Sequence, residues 1–66
     1  MQVKCPEVTV QLTGQDGNAF FILGKVKREM QRAKVDANII KEYFDEATND
    51  DYDHLLQTTM RYVNVD

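Results

Sequence analysis

Phe21, Lys25, Arg28 and Arg32 stand at helical spacing and have the side-chain types needed to hold an anion that carries a ring. A cation neutralises phosphate, a planar guanidinium does so through two parallel hydrogen bonds, and an aromatic face stacks on a base. At 100° per residue Lys25, Arg28 and Arg32 form one stripe, and Phe21 projects from the same side at its N-terminal end. Plain electrostatics suits the stripe equally, because basic side chains near a helix C-terminus complement the dipole and a neighbouring acidic helix. Upstream lies the turn Gly14, Gln15, Asp16, Gly17 and Asn18. Its glycines permit positive φ, so successive amides can converge on an anion at a helix start, and these five residues join the candidate ligand-binding set. Asp16 opposes a phosphate there, and an ordinary strand-to-helix connection explains the same composition.

A second constellation is Asp50, Asp51, Asp53 and His54. Asp50 and His54 are four apart, a spacing compatible with two metal ligands, yet no third ligand is identifiable. Acids in a first helical turn are favoured by the dipole alone, so neither a metal nor another cofactor is expected. Cys5 has no second cysteine to pair with and reads as a small packing residue. No nucleophile can be matched with a base, which makes the reading non-enzymatic.

The elements that must position these residues follow from hydrophobic period and punctuation. Val8, Val10 and Leu12 alternate with polar residues and predict a half-buried strand, with Pro6 opening it or holding it at an edge. Residues 1–6 are then expected to be loosely held. Asn18 is the expected cap of a first helix whose core stripe is Ala19, Leu23, Val26, Met30 and Ala33. Phe20, Phe21 and Ile22 make its beginning apolar all round, and Gly24 inside it predicts a close approach by another element. Asp36 caps a second helix, with Val35 and Ile40 spaced as a hydrophobic staple and Ile39, Ile40, Tyr43, Phe44 and Ala47 on its apolar face. Asn49 or Asp50 caps a third, carrying Tyr52, Leu55, Leu56, Thr59 and Met60 inward. Tyr62 to Val65 can leave it as a short strand paired with the first. The expected fold is a single α+β domain over residues 1–66, of βαα(α)β order, with the helices on one side of a two-stranded sheet.

Composition limits what such a domain can do. At 66 residues the chain buries only ~60% of its unfolded surface, so association with further copies would stabilise it. Residues 1–34 carry six basic and three acidic side chains, residues 35–66 two basic and eight acidic. The net charge of −3 and a pI near 4.9 argue against duplex nucleic acid as a partner. No apolar run or leader pattern suggests a membrane span or a secretory signal, so a cytoplasmic location is expected.

The segments QDGNAF and ILG at positions 15–24 and DYDHLL at positions 51–56 resemble a family of small proteins encoded in bacteriophages and bacterial genomes. The resemblance runs roughly from Val8 to Val65, and the first helix is richer in lysine here than in those relatives. It implies a phage accessory protein in the cytoplasm of a bacterial host, and it supplies no catalytic residue. The resulting expectation is a non-enzymatic, homo-oligomeric binding module that sequesters an anionic, nucleotide-like ligand in a counter-defence role. The alternative is a protein-protein interaction module that binds a host or phage protein through the same apolar and basic face.

Overall fold

A computed structural model describes residues 3–12, 14 and 17–66. The elements run β1 (Cys5–Val10), α1 (Ala19–Arg32), α2 (Ala37–Ala47), α3 (Tyr52–Tyr62) and β2 (Val63–Val65). This is the expected βαα(α)β order of a small α+β domain. The two strands pair in parallel, which requires a long crossover, and the three helices between them supply it.

The alternation in β1 buries Val8 and Val10 and leaves Glu7 and Thr9 exposed. The strand starts earlier and stops earlier than the expected Val8 to Leu12. Cys5 pairs with Val63, and the register then shifts so that the next pair is Thr9 with Asn64. Pro6 therefore lies within an irregular stretch, where its missing amide removes no ladder bond. The Asn64 side-chain amide donates to the Pro6 carbonyl at 2.9 Å and bridges the gap. The Lys4 amide donates to the Arg61 carbonyl and the Leu12 amide to that of Asp66, each at 3.0 Å, so hydrogen bonding extends past both ends of β1.

Side-chain caps begin all three helices. Asn18 Oδ1 accepts from the amides of Phe20 at 2.8 Å and Phe21 at 3.4 Å, and Asp36 Oδ1 accepts from Asn38 at 2.7 Å. Each such cap contributes about 1 kcal/mol. Helix α3 is capped by Asp51, which accepts from the His54 amide at 2.9 Å, and not by Asn49 or Asp50. Asp50 instead accepts from the Asp51 amide at 2.8 Å. Three consecutive residues there can all cap, so the position required for Leu55 to face inward selects among them.

Helix α1 buries Leu23, Val26 and Met30 as expected, and Ile22 with them. Ala33, expected in the core, is exposed because it is the C-cap, where the helical stripe has ended. Helix α2 buries Tyr43 and Ala47, with Ile39, Ile40 and Phe44 half-buried beside them. In α3 the inward row is Leu55, Thr58, Thr59 and Tyr62. That row rotates Tyr52 and Met60 outward, against expectation, leaving them 45% and 53% exposed. Two threonines are acceptable inside because their hydroxyls have partners. Thr59 Oγ1 donates to the Leu55 carbonyl at 2.9 Å and lies 2.7 Å from the Tyr43 hydroxyl. Its single proton is spent on Leu55, so Tyr43 is the donor in the shared bond.

Helix α1 ends in a Schellman motif, with the Val35 amide on the Met30 carbonyl at 2.9 Å and the Lys34 amide on Gln31 at 3.0 Å. Lys34 holds the left-handed position, φ 61°, that glycine occupies with least strain. Lys34→Gly should therefore stabilise the fold by up to ~1 kcal/mol, read as a higher urea midpoint with an unchanged slope. The buried hydroxyl pair yields an asymmetric expectation. Thr59→Val strands the Tyr43 hydroxyl in the core and should cost about 1–3 kcal/mol, whereas Tyr43→Phe leaves Thr59 bonded to Leu55 and should cost about 1 kcal/mol, both by chemical denaturation.

Candidate functional site

The outward face of α1 is built by a row at i, i+4 and i+8. Phe20, Gly24 and Arg28 form that row, with Phe21 and Lys25 beside it, and these five residues line a depression of 270 Å³. The concavity comes from Gly24, since a Cβ built there meets nothing within 4 Å. The close approach expected at Gly24 is thus absent among the described residues. Phe20 is 85% exposed and Phe21 36%. Lys25 Nζ stands 5.8 Å from the centre of the Phe21 ring, a cation–π contact that keeps the ammonium near the hollow.

Charge on the molecule is unevenly satisfied. Lys4 is paired with Glu42, Lys41 with Asp45 at 2.9 Å and Arg32 with Glu29 at 3.4 Å. Lys25, Lys27 and Arg28 form no ion pair among the described residues. Two of the uncompensated cations therefore meet two exposed aromatic rings around one hollow, which suits a flat anion. Arg32, grouped with them by spacing, lies apart. It borders a separate depression with Glu7 and Glu29, where the carboxylates oppose an anion.

The approach turn contributes differently from expectation. Gln15 and Asp16 lie outside the described residues. Gly14 has φ 77°, so positive φ is found there and not at Gly17. Gly17 is small for another reason: its carbonyl accepts from the Tyr52 hydroxyl, and a Cβ on Gly17 would sit 3.3 Å from that oxygen. The amides of Phe20 and Phe21 are already taken by Asn18, so this helix start fills its own anion-receiving positions. Gly14, Gly17 and Asn18 do not line the hollow; they set where α1 begins.

The acidic constellation is separated by the fold. Asp51 caps α3, while His54 Nε2 lies 2.9 Å from the Glu46 carbonyl and 3.0 Å from its carboxylate, joining α3 to the end of α2. Among the described residues no group of three or more His, Cys, Asp or Glu side chains is placed to hold a metal ion. Cys5 is 2% exposed in the core, and burial, with Glu7 adding, pushes its thiol pKa up and away from nucleophilic use. Another depression runs along α2 past Glu42, Asp45 and Glu46, all three already engaged by basic or hydroxyl partners.

Phe20 and Gly24 were not among the residues the sequence pattern selected. Their signal was the regular spacing with Arg28, obscured because Phe20 falls closer to the flank of the core stripe than Phe21 does. No protein family, curated protein or solved structure matches the chain. Among the described residues no helix is long and apolar enough to cross a membrane.

Away from the hollow, Glu42 joins Lys4 to Tyr62, whose hydroxyl donates to the carboxylate at 2.5 Å. The Lys4 hydrogen bond, then that from Tyr62, holds Glu42 below the usual carboxylate range. Burial, then the bond to Glu42, pushes Tyr62 up to about 12. A lowered acid contributes stability above its unfolded pKa, roughly 4.3, that is lost as pH falls through the folded value. A raised tyrosine contributes stability below roughly pH 10 that is lost as pH climbs toward 12. Glu42→Gln should flatten the acid limb, and Tyr62→Phe the alkaline limb, of a plot of unfolding free energy against pH.

Proposed function

We propose that this chain is a small non-enzymatic binding module of the bacteriophage type, acting in the cytoplasm of a bacterial host, that sequesters an anionic, nucleotide-like ligand on the outward face of α1. The observation that carries it is the hollow where Lys25 and Arg28, neither in an ion pair among the described residues, flank exposed Phe20 and Phe21. In an acidic chain, cations left without carboxylates beside open rings form a surface that is complete only with an anion on it. Phosphate is held by charge and by the planar fork of Arg28, and a base stacks on phenylalanine. Capture without chemistry fits a sequestering, counter-defence role, since the hollow offers cations and rings but no nucleophile or base. One observation favours a second reading, a protein-protein module for a host or phage protein: Phe20 is exposed more fully than stacking by a small ligand requires.

Calorimetric titration with mono-, di- and cyclic nucleotides separates the two. Wild type should bind at least one of them more tightly than about 0.1 mM, near −5.5 kcal/mol, with affinity falling as salt rises. Arg28→Glu should abolish binding and leave the fold intact, because Arg28 is exposed on α1. Equal heats from both proteins, or no member binding at that level, would move the protein-protein reading ahead.

A further inference from the structure

The hollow is small for a ligand pocket and has only one wall. At 270 Å³ it falls below the ~300 Å³ at which small-molecule pockets begin, and all its lining comes from one helix. We infer that two copies of the chain pair through the outward faces of α1, antiparallel about a twofold axis at Gly24, and that each copy supplies the missing wall of the other's site.

Three observations converge on that arrangement. Gly24 is an unfavourable residue for an exposed helix interior, and among the described residues nothing lies within 4 Å of a Cβ built there to compensate for it. At a crossing of two helices its missing side chain becomes an asset, because it lets the axes approach closely. Phe20 and Arg28 stand four residues before and after it, about 6 Å along the axis in each direction. An antiparallel second α1 crossing at Gly24 then places the exposed ring of Phe20 in each copy against Arg28 of the other, a guanidinium without an ion pair among the described residues. A parallel crossing would instead set arginine on arginine. In the antiparallel pair the two Arg28 groups sit roughly 12 Å apart along the axis, by helical rise, and like charges at that distance are largely screened in ~0.1 M salt.

The same face thereby matches itself, as an isologous twofold contact requires. Phe21 and Lys25 flank the row on one side, and the twofold brings both copies of this pair to the same side of the seam. The result is a groove with two ammonium groups and two rings, suited to a ligand with two phosphates, such as a dinucleotide. That ligand class rests on the function proposed above; the pairing itself does not.

The test measures assembly without ligand. Sedimentation velocity at 100 μM, a concentration chosen for the assay, should show a dimer for wild type and a monomer for Gly24→Leu. At a dilution where both proteins are monomers, the leucine variant should melt no lower than its parent, because the position is open and leucine is the better helix former. Phe20→Arg and Arg28→Phe should each weaken the dimer, and the double variant should restore it. Gly24→Cys should form an intermolecular disulfide under oxidised glutathione at least ten times faster than Gln57→Cys on exposed α3, with Cys5 buried and silent. A monomeric wild type, a Gly24→Leu variant as dimeric as its parent, or equal cross-linking at the two cysteines overturns the pairing. A dimer that binds no nucleotide overturns the ligand reading alone, and a monomer that binds one nucleotide per chain overturns the pairing alone.

Discussion

The junction of α2 and α3 is organised around the buried hydroxyls of Tyr43 and Thr59. Tyr43 has no exposed surface, and its ring packs edge-on against Phe44 and Tyr62, with centroids 6.0 and 5.5 Å away. It occupies the place where α2 meets α3, and α3 in turn leads without a break into β2. A phenol at the centre of so small a core must spend its proton on a partner, and Thr59 can receive it because its own proton goes to the Leu55 carbonyl. The directional bond fixes the rotation of α3 about its axis. That rotation puts Tyr52 where it can reach the Gly17 carbonyl and leaves His54 beside Glu46. The contact between Tyr52 and Gly17, one residue before the cap of α1, thus goes with the same orientation of α3.

What could be read in the sequence was whatever depended on neighbours a few residues away. The caps at Asn18 and Asp36 and the Leu23, Val26 and Met30 stripe are local and present, and the helix-to-strand change, expected at Tyr62, falls one residue later at Val63. The inward face of α3 was only partly legible: Leu55 and Thr59 are buried as expected, whereas Thr58 looks like a surface residue and is buried with its hydroxyl near His54 and Arg61. Pro6 and Cys5 belong to a strand because the bulge that tolerates proline is bridged by Asn64, 58 positions away. At the site, composition found Phe21, Lys25 and Arg28 but also drew in Arg32, and only the fold shows Glu29 and Glu7 beside it.

Electrostatic compensation separates the structural half of the charge from the remainder. Lys4, Lys41 and Arg32 close on carboxylates, and Lys27 rests 5.5 Å from the centre of the Phe44 ring. These contacts are mostly exposed and individually weak, so their value lies in consuming charge more than in holding the fold. Of what they leave over, Lys25 and Arg28 lie side by side on α1. An overall acidic protein can in this way present a confined basic surface, attracting a small anion without attracting nucleic acid along its whole length.

The parallel pairing of β1 with β2 also governs the order in which the molecule can assemble. Asn64 and Pro6, joined across the bulge, are 58 residues apart, so closing the sheet means closing nearly the whole chain into a ring. The loop entropy of that closure is lowest once the intervening helices have condensed, because a compact connector already holds its ends near each other. Helices form within microseconds, whereas pairing between distant strands waits for them. The sheet then acts as a late latch on a helical body. Weakening it would release the strands more readily without slowing the first collapse, so the rate of opening, more than the rate of folding, is where β2 makes itself felt.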